Sequence, residues 1–358
     1  MAVFIMLYIR SLGLKYKVRT TIKDIANYTG LSVTTISLVL NNKANKIPKR
    51  TKDKILKAVD ELNYHPNQLA VGLVKKRTET IGLVISDVSN VFFSNLAKGV
   101  EDECRRKGWN LVLCNTNDKH ERDLSYIQVL ADKGVDGILF CMSLDSNKKK
   151  AKESIQLLEK LKLPFVMVDR FLEEAECCSV IVDHKQGGYA ATKKLLELGH
   201  RRIGCVTGPL NLEDSTDRLV GYRKALKEQQ IDYDPELIFE GNYDFAGGEA
   251  AAEYFVSRDV TAVFAFNDMS AYGVYKGLRR RGIHIPEQMS LIGYDNIFFS
   301  EMLDVPLTTV NQPVYEMGVE AVHQLFTEID SGVNAKKCIT FKPSLVVRES
   351  TGKCPEGK

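Results

Sequence analysis

A small all-α head followed by an α/β body of two doubly wound parallel-sheet lobes is the fold class predicted for this 358-residue chain. Three observations predict it. Two short amphipathic stretches flank Thr29-Gly30-Leu31, which is the plan of a helix-turn-helix. From residue 79 onward, eight short apolar runs alternate with helical stretches, as buried parallel strands do. The charge divides at the same place: residues 1–78 carry 15 Lys and Arg against 4 Asp and Glu, a net +11, and the remainder carries 34 against 42, a net −8. A basic head on an acidic body points to a nucleic-acid partner for the head.

The chain opens with "AVFIMLYI", apolar for only eight residues and therefore too short to span a bilayer, with no small-residue cleavage site after it. Residues 1–19 are expected to be a disordered extension. The head proper, residues 20–65, begins with Ile22, Ile25 and Ala26 on one helical face. Gly30 suits the left-handed turn conformation, and Ser32 is placed to cap a second helix whose apolar face is Val33, Ile36, Val39 and Leu40. A third helix within 48–64 is expected to close the core with Ile55, Leu56, Val59 and Leu62. Lys43, Lys46, Lys49, Arg50, Lys52 and Lys54 cluster at its start, where Lys49 and Arg50 are expected to touch DNA phosphates. Residues 66–78 follow, a two-turn helix with Leu69, Val71, Leu73 and Val74, too short to persist alone in water.

In the body, "IGLVI", "NLVLC", "GILFC", "PFVMV", "SVIV", "RIGCV", "AVFAF" and "SLIGY" read as strands. Polar residues follow many of them, as in "SDVSN" (86–90), "CNTND" (114–118), "VDR" (168–170), "FND" (266–268) and "GYDN" (293–296). Ligands of open α/β sheets bind beyond the carboxyl ends of the strands, so these tips are expected to line a cleft between two lobes. The eight cysteines form no CxxC pair and mostly sit in apolar runs, which fits free buried thiols of a reducing cytosol and a cytoplasmic protein. His184, His200 and His284 lack metal-ligand spacing. A Walker loop, a GxGxxG after the first strand, a GxSxG elbow and HExxH are all missing, so no enzyme and no cofactor are expected.

Residues 20–78 resemble the DNA-binding head of the lactose repressor family of bacterial regulators, through "TIKDIANYTGLSVTTIS", "ELNYHPN" and "LAVGL" in order and spacing. The resemblance implies a homodimer on a pseudo-palindromic operator in double-stranded DNA. Base reading falls to Val33, Thr34 and Leu38 of the recognition helix. Leu38 departs from the long polar residue many members carry there, and it suits a thymine methyl rather than guanine. The segment opened by Asn67 becomes a hinge helix only on the operator, where Leu73 is pushed into the minor groove and bends the duplex.

The body is similar to the effector domain shared by these regulators and the periplasmic sugar-binding proteins, most of all those for ribose. The resemblance implies one lobe of about 79–178 and 312–341, another of about 179–311 and 342–350, and a tail, 351–358. It places Asn90, Phe92, Phe93, Asp169, Arg170, Arg218, Tyr243, Asn267, Asp295 and Gln312 at a small effector, a monosaccharide. Aromatic faces would cover its C–H surfaces while carboxylates accept from its hydroxyls. Leu212 stands where the related purine repressor has an arginine that reads the base. The alternatives are a carbon-catabolite regulator with a phosphocarrier protein partner, and a regulator responding to another sugar or a nucleoside. A transport protein with the same body would lack the basic head.

Overall fold

The structure, a computed structural model, describes residues 20–41, 44–64, 77–172, 174–332 and 336–355. The chain divides into two compact units, Met1–Thr78 and Glu79–Lys358.

The first unit contains α1 (Ile22–Thr29), α2 (Val33–Leu40) and α3 (Lys49–Glu61). Thr21 starts α1 with a capping box: its N–H donates to Asp24 Oδ2 at 2.8 Å while its Oγ1 accepts from Asp24 N at 3.4 Å. Gly30 ends α1 in the left-handed conformation, φ 66°. Two residues later Ser32 caps α2, its Oγ accepting from Thr35 N at 3.1 Å. Ile25, Ile36, Val39, Ala44, Ile55 and Ala58 form the core. Leu56 and Val33 differ from expectation, being 50% and 40% exposed. The inward stripe of α3 runs 55, 58, 59 and 62, the i, i+3, i+4, i+7 set, and residue 56 lies one step of 100° outside it. The expected hinge residues Asn67 and Leu73, and the extension 1–19, lie outside the described residues.

The second unit follows the order β1 (Thr80–Ile85), α4 (Val91–Arg106), β2 (Asn110–Asn115), α5 (His120–Asp132), β3 (Gly137–Phe140), α6 (Lys148–Lys160), β4 (Phe165–Val168), β5 (Cys178–Val182), α7 (His184–Glu197) and β6 (Ile203–Thr207). It continues through α8 (Glu213–Glu228), β7 (Ile238–Glu240), α9 (Phe245–Val256), β8 (Ala262–Ala265), α10 (Asp268–Arg280), β9 (Ser290–Asp295), β10 (Thr308–Asn311), α11 (Val314–Ser331), β11 (Cys338–Phe341) and β12 (Ser344–Val346).

Two six-stranded sheets result, ordered β2-β1-β3-β4-β5-β11 and β7-β6-β8-β9-β10-β12. Every pair is parallel except β10 with β12. The expected lobe edge at 178/179 moves to after Val182, because β5 pairs in register with β4 (Val166↔Cys178) and with β11 (Cys338↔Ser179). Sheet membership changes again after Asn311 and after Phe341.

Each sheet is covered on both faces, which is why its inner strands read as unbroken apolar runs rather than alternating ones. In the first, Leu83, Leu139, Val166 and Val180 pack under α4 and α11, while Val84, Ile138, Phe140 and Met167 pack under α5 and α6. In the second, Val206, Val263, Ala265 and Leu291 lie beneath α9 and α10, and Ile203, Cys205, Phe264 and Ile292 beneath α7 and α8. The cysteines are free. Five of them are buried, Cys177 and Cys354 are half-buried, and Cys338 is exposed against expectation because it lies on the edge strand β11.

Candidate functional site

Both sheets share the strand order 2-1-3-4-5, so each has a switch point beyond the carboxyl ends of its first strands, where loops diverge and leave a crevice. The structure brings all ten cleft residues expected from the sequence around one cavity between the two sheets, together with Asp214. From the first lobe, Asn90 caps α4 by accepting from Phe92 N at 3.0 Å. This sets Phe92 and Phe93 edge to face, with ring centroids 5.1 Å apart. Asp169 and Arg170 leave the end of β4. Arg170 Nη1 donates to Ser86 Oγ at 2.7 Å, to Asp118 Oδ1 at 3.0 Å and to the Met142 carbonyl at 3.2 Å, and its guanidinium lies 5.4 Å from the Phe93 ring.

The second lobe supplies the rest. Arg218, on α8, is buried and engaged on almost every side. Its Nη1 donates to the Phe266 carbonyl at 2.6 Å and its Nε to His184 Nδ1 at 3.4 Å. The guanidinium lies 4.0 Å from the Tyr294 ring and 5.4 Å from that of Tyr243. Asn267 caps α10 through Ser270 N at 2.9 Å and ties down the Tyr243 carbonyl at 2.7 Å. Gln312 donates to Asp295 Oδ1 at 2.7 Å, but its own Oε1 is buried without a donor.

Burial and charge act against each other here. Burial pushes the Asp169 carboxyl up to about 6 although Arg170 opposes it, and burial with the nearby Asp268 charge drives Asp295 well above its ordinary range. Asp214 goes the other way: burial disfavours its charge, but Arg218 and Arg170 together hold it below the usual carboxylate value. His184 is kept neutral, pushed down to about 3 by burial and then by Arg218. Because Arg218 can only donate, His184 Nδ1 is an acceptor and the ring proton sits on Nε2.

Sequence reasoning missed Asp214, which follows no strand directly and lies in the first turn of α8. The available signal was its position four residues before Arg218, where the two side chains share a helical face. Backbone strain was invisible too. Asp169, Tyr243, Asp295 and Asn296 have φ of 66°, 58°, 113° and 58°, a concentration of left-handed non-glycine residues that is uncommon outside functional sites. Leu212 does not line this cleft. It is buried in a neighbouring crevice with Met142, Phe171 and Leu172, where Asn211 Nδ2 also donates to the Ser146 carbonyl at 3.1 Å.

In the first unit, Val33, Thr34 and Leu38 are all exposed on α2, so the face outside the core carries two apolar groups. Lys49 and Arg50 are exposed at the start of α3, whose first turn has no acidic residue. Cations there oppose the helix dipole, which makes the spot poor for stability and suited to an anion such as phosphate. No helix among the described residues is long and apolar enough to cross a membrane, and no group of three or more His, Cys, Asp or Glu among them could hold a metal ion.

A helix-turn-helix unit and a two-lobed, cleft-bearing unit in one chain define a class: DNA-binding regulators that carry a sensor domain. Comparison with known proteins makes this specific. Residues 21–67 match the model of bacterial regulatory proteins of the lacI family, and residues 192–351 match a periplasmic binding protein-like domain. The chain is 39% identical over 334 residues to the transcriptional repressor PurR of Vibrio atlanticus (strain LGP32), covering 92% of this chain and 98% of that one. Among solved structures it resembles a LacI family regulator from Enterococcus faecium with bound ribose, at 33% identity and TM-score 0.68, over 76% of this chain and 98% of the other. It also resembles the lac repressor dimer bound to operator and the anti-inducer ONPF, at 25% identity and TM-score 0.84, over 94% and 100%. The chain therefore belongs to the lacI family of DNA-binding transcriptional regulators. Its relatives are regulators of transcription, not enzymes.

Proposed function

We propose that the protein represses transcription as a homodimer on a pseudo-palindromic operator, and that a neutral, ribose-like polyol held in the cleft sets its affinity for that operator. One observation carries the choice of ligand. Gln312 is 4% exposed and its Oε1 has no donor, so the cleft wall holds an acceptor that a ligand hydroxyl would satisfy. Asp169, Asp214 and Asp295 add further acceptors, and Phe92 and Phe93 offer ring surface for sugar C–H groups. A donor-rich, uncharged molecule fits this wall.

The cleft holds a small cavity of about 30 Å³, so we read entry of a monosaccharide as coupled to parting of the lobes. Its differential affinity for two lobe arrangements is then what shifts the operator-binding equilibrium, through residues 66–78. Val33, Thr34, Leu38 and Leu73 would touch bases, and Asn67, Lys49 and Arg50 the duplex around them.

The experiment is a gel shift on the DNA upstream of the gene, titrated with pentoses, hexoses, nucleosides and purine bases. A pentose or hexose is expected to change the half-saturation point. Arg218→Ala should abolish that response and leave operator binding intact. A response to purines alone would replace the sugar reading, and an unchanged dose response in Arg218→Ala would remove Arg218 from the site.

A further inference from the structure

Two arginines in one cleft would ordinarily invite an anion, because a guanidinium matches phosphate and carboxylate oxygens in a bidentate way. In this cleft both guanidiniums are already matched. Arg170 has Asp118 at 3.0 Å, outside the cavity wall. Arg218 spends Nη1 on the Phe266 carbonyl and Nε on His184, has Tyr294 and Tyr243 against it, and points Nη2 at Asp214 Oδ2 from 4.0 Å. Asp214 is itself 6% exposed and lines the cavity, and it is fixed by the Tyr243 hydroxyl, which donates to Oδ2 at 2.6 Å.

We infer that Asp214 is a specificity-determining residue that closes the cleft to anionic effectors, among them sugar phosphates and sugar acids, and leaves it open to neutral ones. The inference rests on reading the cleft as the effector site and adds the charge its ligand must have. An anion reaching Arg218 would lie within a few ångströms of a buried carboxylate. At an effective dielectric of about 20, two like charges about 4 Å apart repel strongly enough to cost well over tenfold in affinity. The same carboxylate accepts a hydrogen bond from a neutral hydroxyl without that cost. Gln312 works in the same direction, since its unpaired Oε1 meets a donor favourably and an anion's oxygen unfavourably.

The test uses the full chain as wild type, Asp214→Asn and Asp214→Ser, with inorganic phosphate, D-ribose 5-phosphate and D-ribose as probes. Melting midpoints and titration calorimetry report binding, since a ligand bound only by the folded state raises the midpoint. Millimolar phosphate and ribose 5-phosphate should leave the wild type unmoved. At least one Asp214 variant should bind phosphate at least about tenfold more tightly. Stabilisation of the wild type by either anion overturns the inference with no variant needed, and equal anion binding in wild type and variants does the same. The ribose arm is separate: a gain of phosphate binding in the variants with no ribose response anywhere retains Asp214's role and removes the pentose reading.

Discussion

Gly188→Ala tests what holds Arg218 in place. Gly188 on α7 faces the backbone of α8, and a Cβ there would lie 2.2 Å from the Arg218 carbonyl oxygen and 2.9 Å from its carbonyl carbon. Gly221 on α8 answers it, with a Cβ 2.2 Å from the Lys185 oxygen and 2.5 Å from Tyr189 N. The helices thus touch backbone to backbone through paired glycines. Ordinary contact begins near 3.4 Å, so the added methyl must drive α8 back by about 1.2 Å at Arg218. The 2.6 Å bond from Arg218 Nη1 to Phe266 cannot survive a shift of that size in full, since a separation of about 3.6 Å is no longer a hydrogen bond. Helix propensity alone would make Gly→Ala stabilising by about 1 kcal/mol. Overpacking against backbone costs about 1–3 kcal/mol or more and should reverse the sign. Urea denaturation of the full chain is expected to show Gly188→Ala less stable by about 1–3 kcal/mol, with a weakened effector response. A variant as stable as the wild type or more so, with an unaltered response, would refute the idea that this glycine contact positions Arg218.

Three further outcomes are expected. Asp268 is fully buried and accepts from Ile297 N at 2.9 Å, Ser300 Oγ at 2.6 Å and Thr309 Oγ1 at 2.6 Å, which fixes the turn after β9. Asp268→Asn turns an amide donor toward those donors and should cost about 2–4 kcal/mol in urea melts, so a loss under about 0.5 kcal/mol contradicts the network. Burial pushes the Asp123 and Asp169 carboxyls up to about 6 from 3.8, so between those values the folded chain holds protons that the unfolded chain has released. Their contribution to stability is therefore present below about pH 4 and lost as pH rises through 6, by at most about 3 kcal/mol each. Glu103 acts oppositely and lower down: Arg106 hydrogen bonds hold it down to about 2, so its contribution is lost as pH falls from 4.5 toward 2. Denaturation at pH 4 to 7 should show a flatter decline in Asp169→Asn, and an identical slope would show that Asp169 is not the titrating group. Leu73→Ala should weaken specific operator binding much more than non-specific binding, and equal losses in a competition gel shift would exclude a wedge role.

What could be read from the chain alone follows from periodicity and local chemistry. The helix-turn-helix was legible because Gly30 and Ser32 act through their own backbone and neighbours, and the structure shows both in those roles. Parallel sheets were legible because strands covered on both faces must be apolar, as β3 and β4 are throughout and β1 and β6 are but for one terminal threonine each. The short strands β7, β11 and β12 escaped notice because they are half-exposed and carry polar residues, and β10 because its threonine hydroxyls are satisfied by distant groups such as Asp268. Polar residues at strand tips pointed to a cleft, and the resemblance to the family named the ten side chains that the fold gathers at one cavity.

Only the tertiary structure decided how those side chains meet. That Asp118 neutralises Arg170 depends on loops 52 residues apart, and that Tyr243 holds Asp214 beside Arg218 depends on where β7 places its end. Leu212 turned inward to a crevice, Val33 turned outward, and β5 joined the first sheet, each decided by long-range packing, whereas the outward turn of Leu56 was already set by the period of its own helix. A sequence sets which groups are present and their local conformational preferences. The charge a cleft shows to its ligand is a sum over residues distant in the chain, so it exists only once the fold has brought them within a few ångströms.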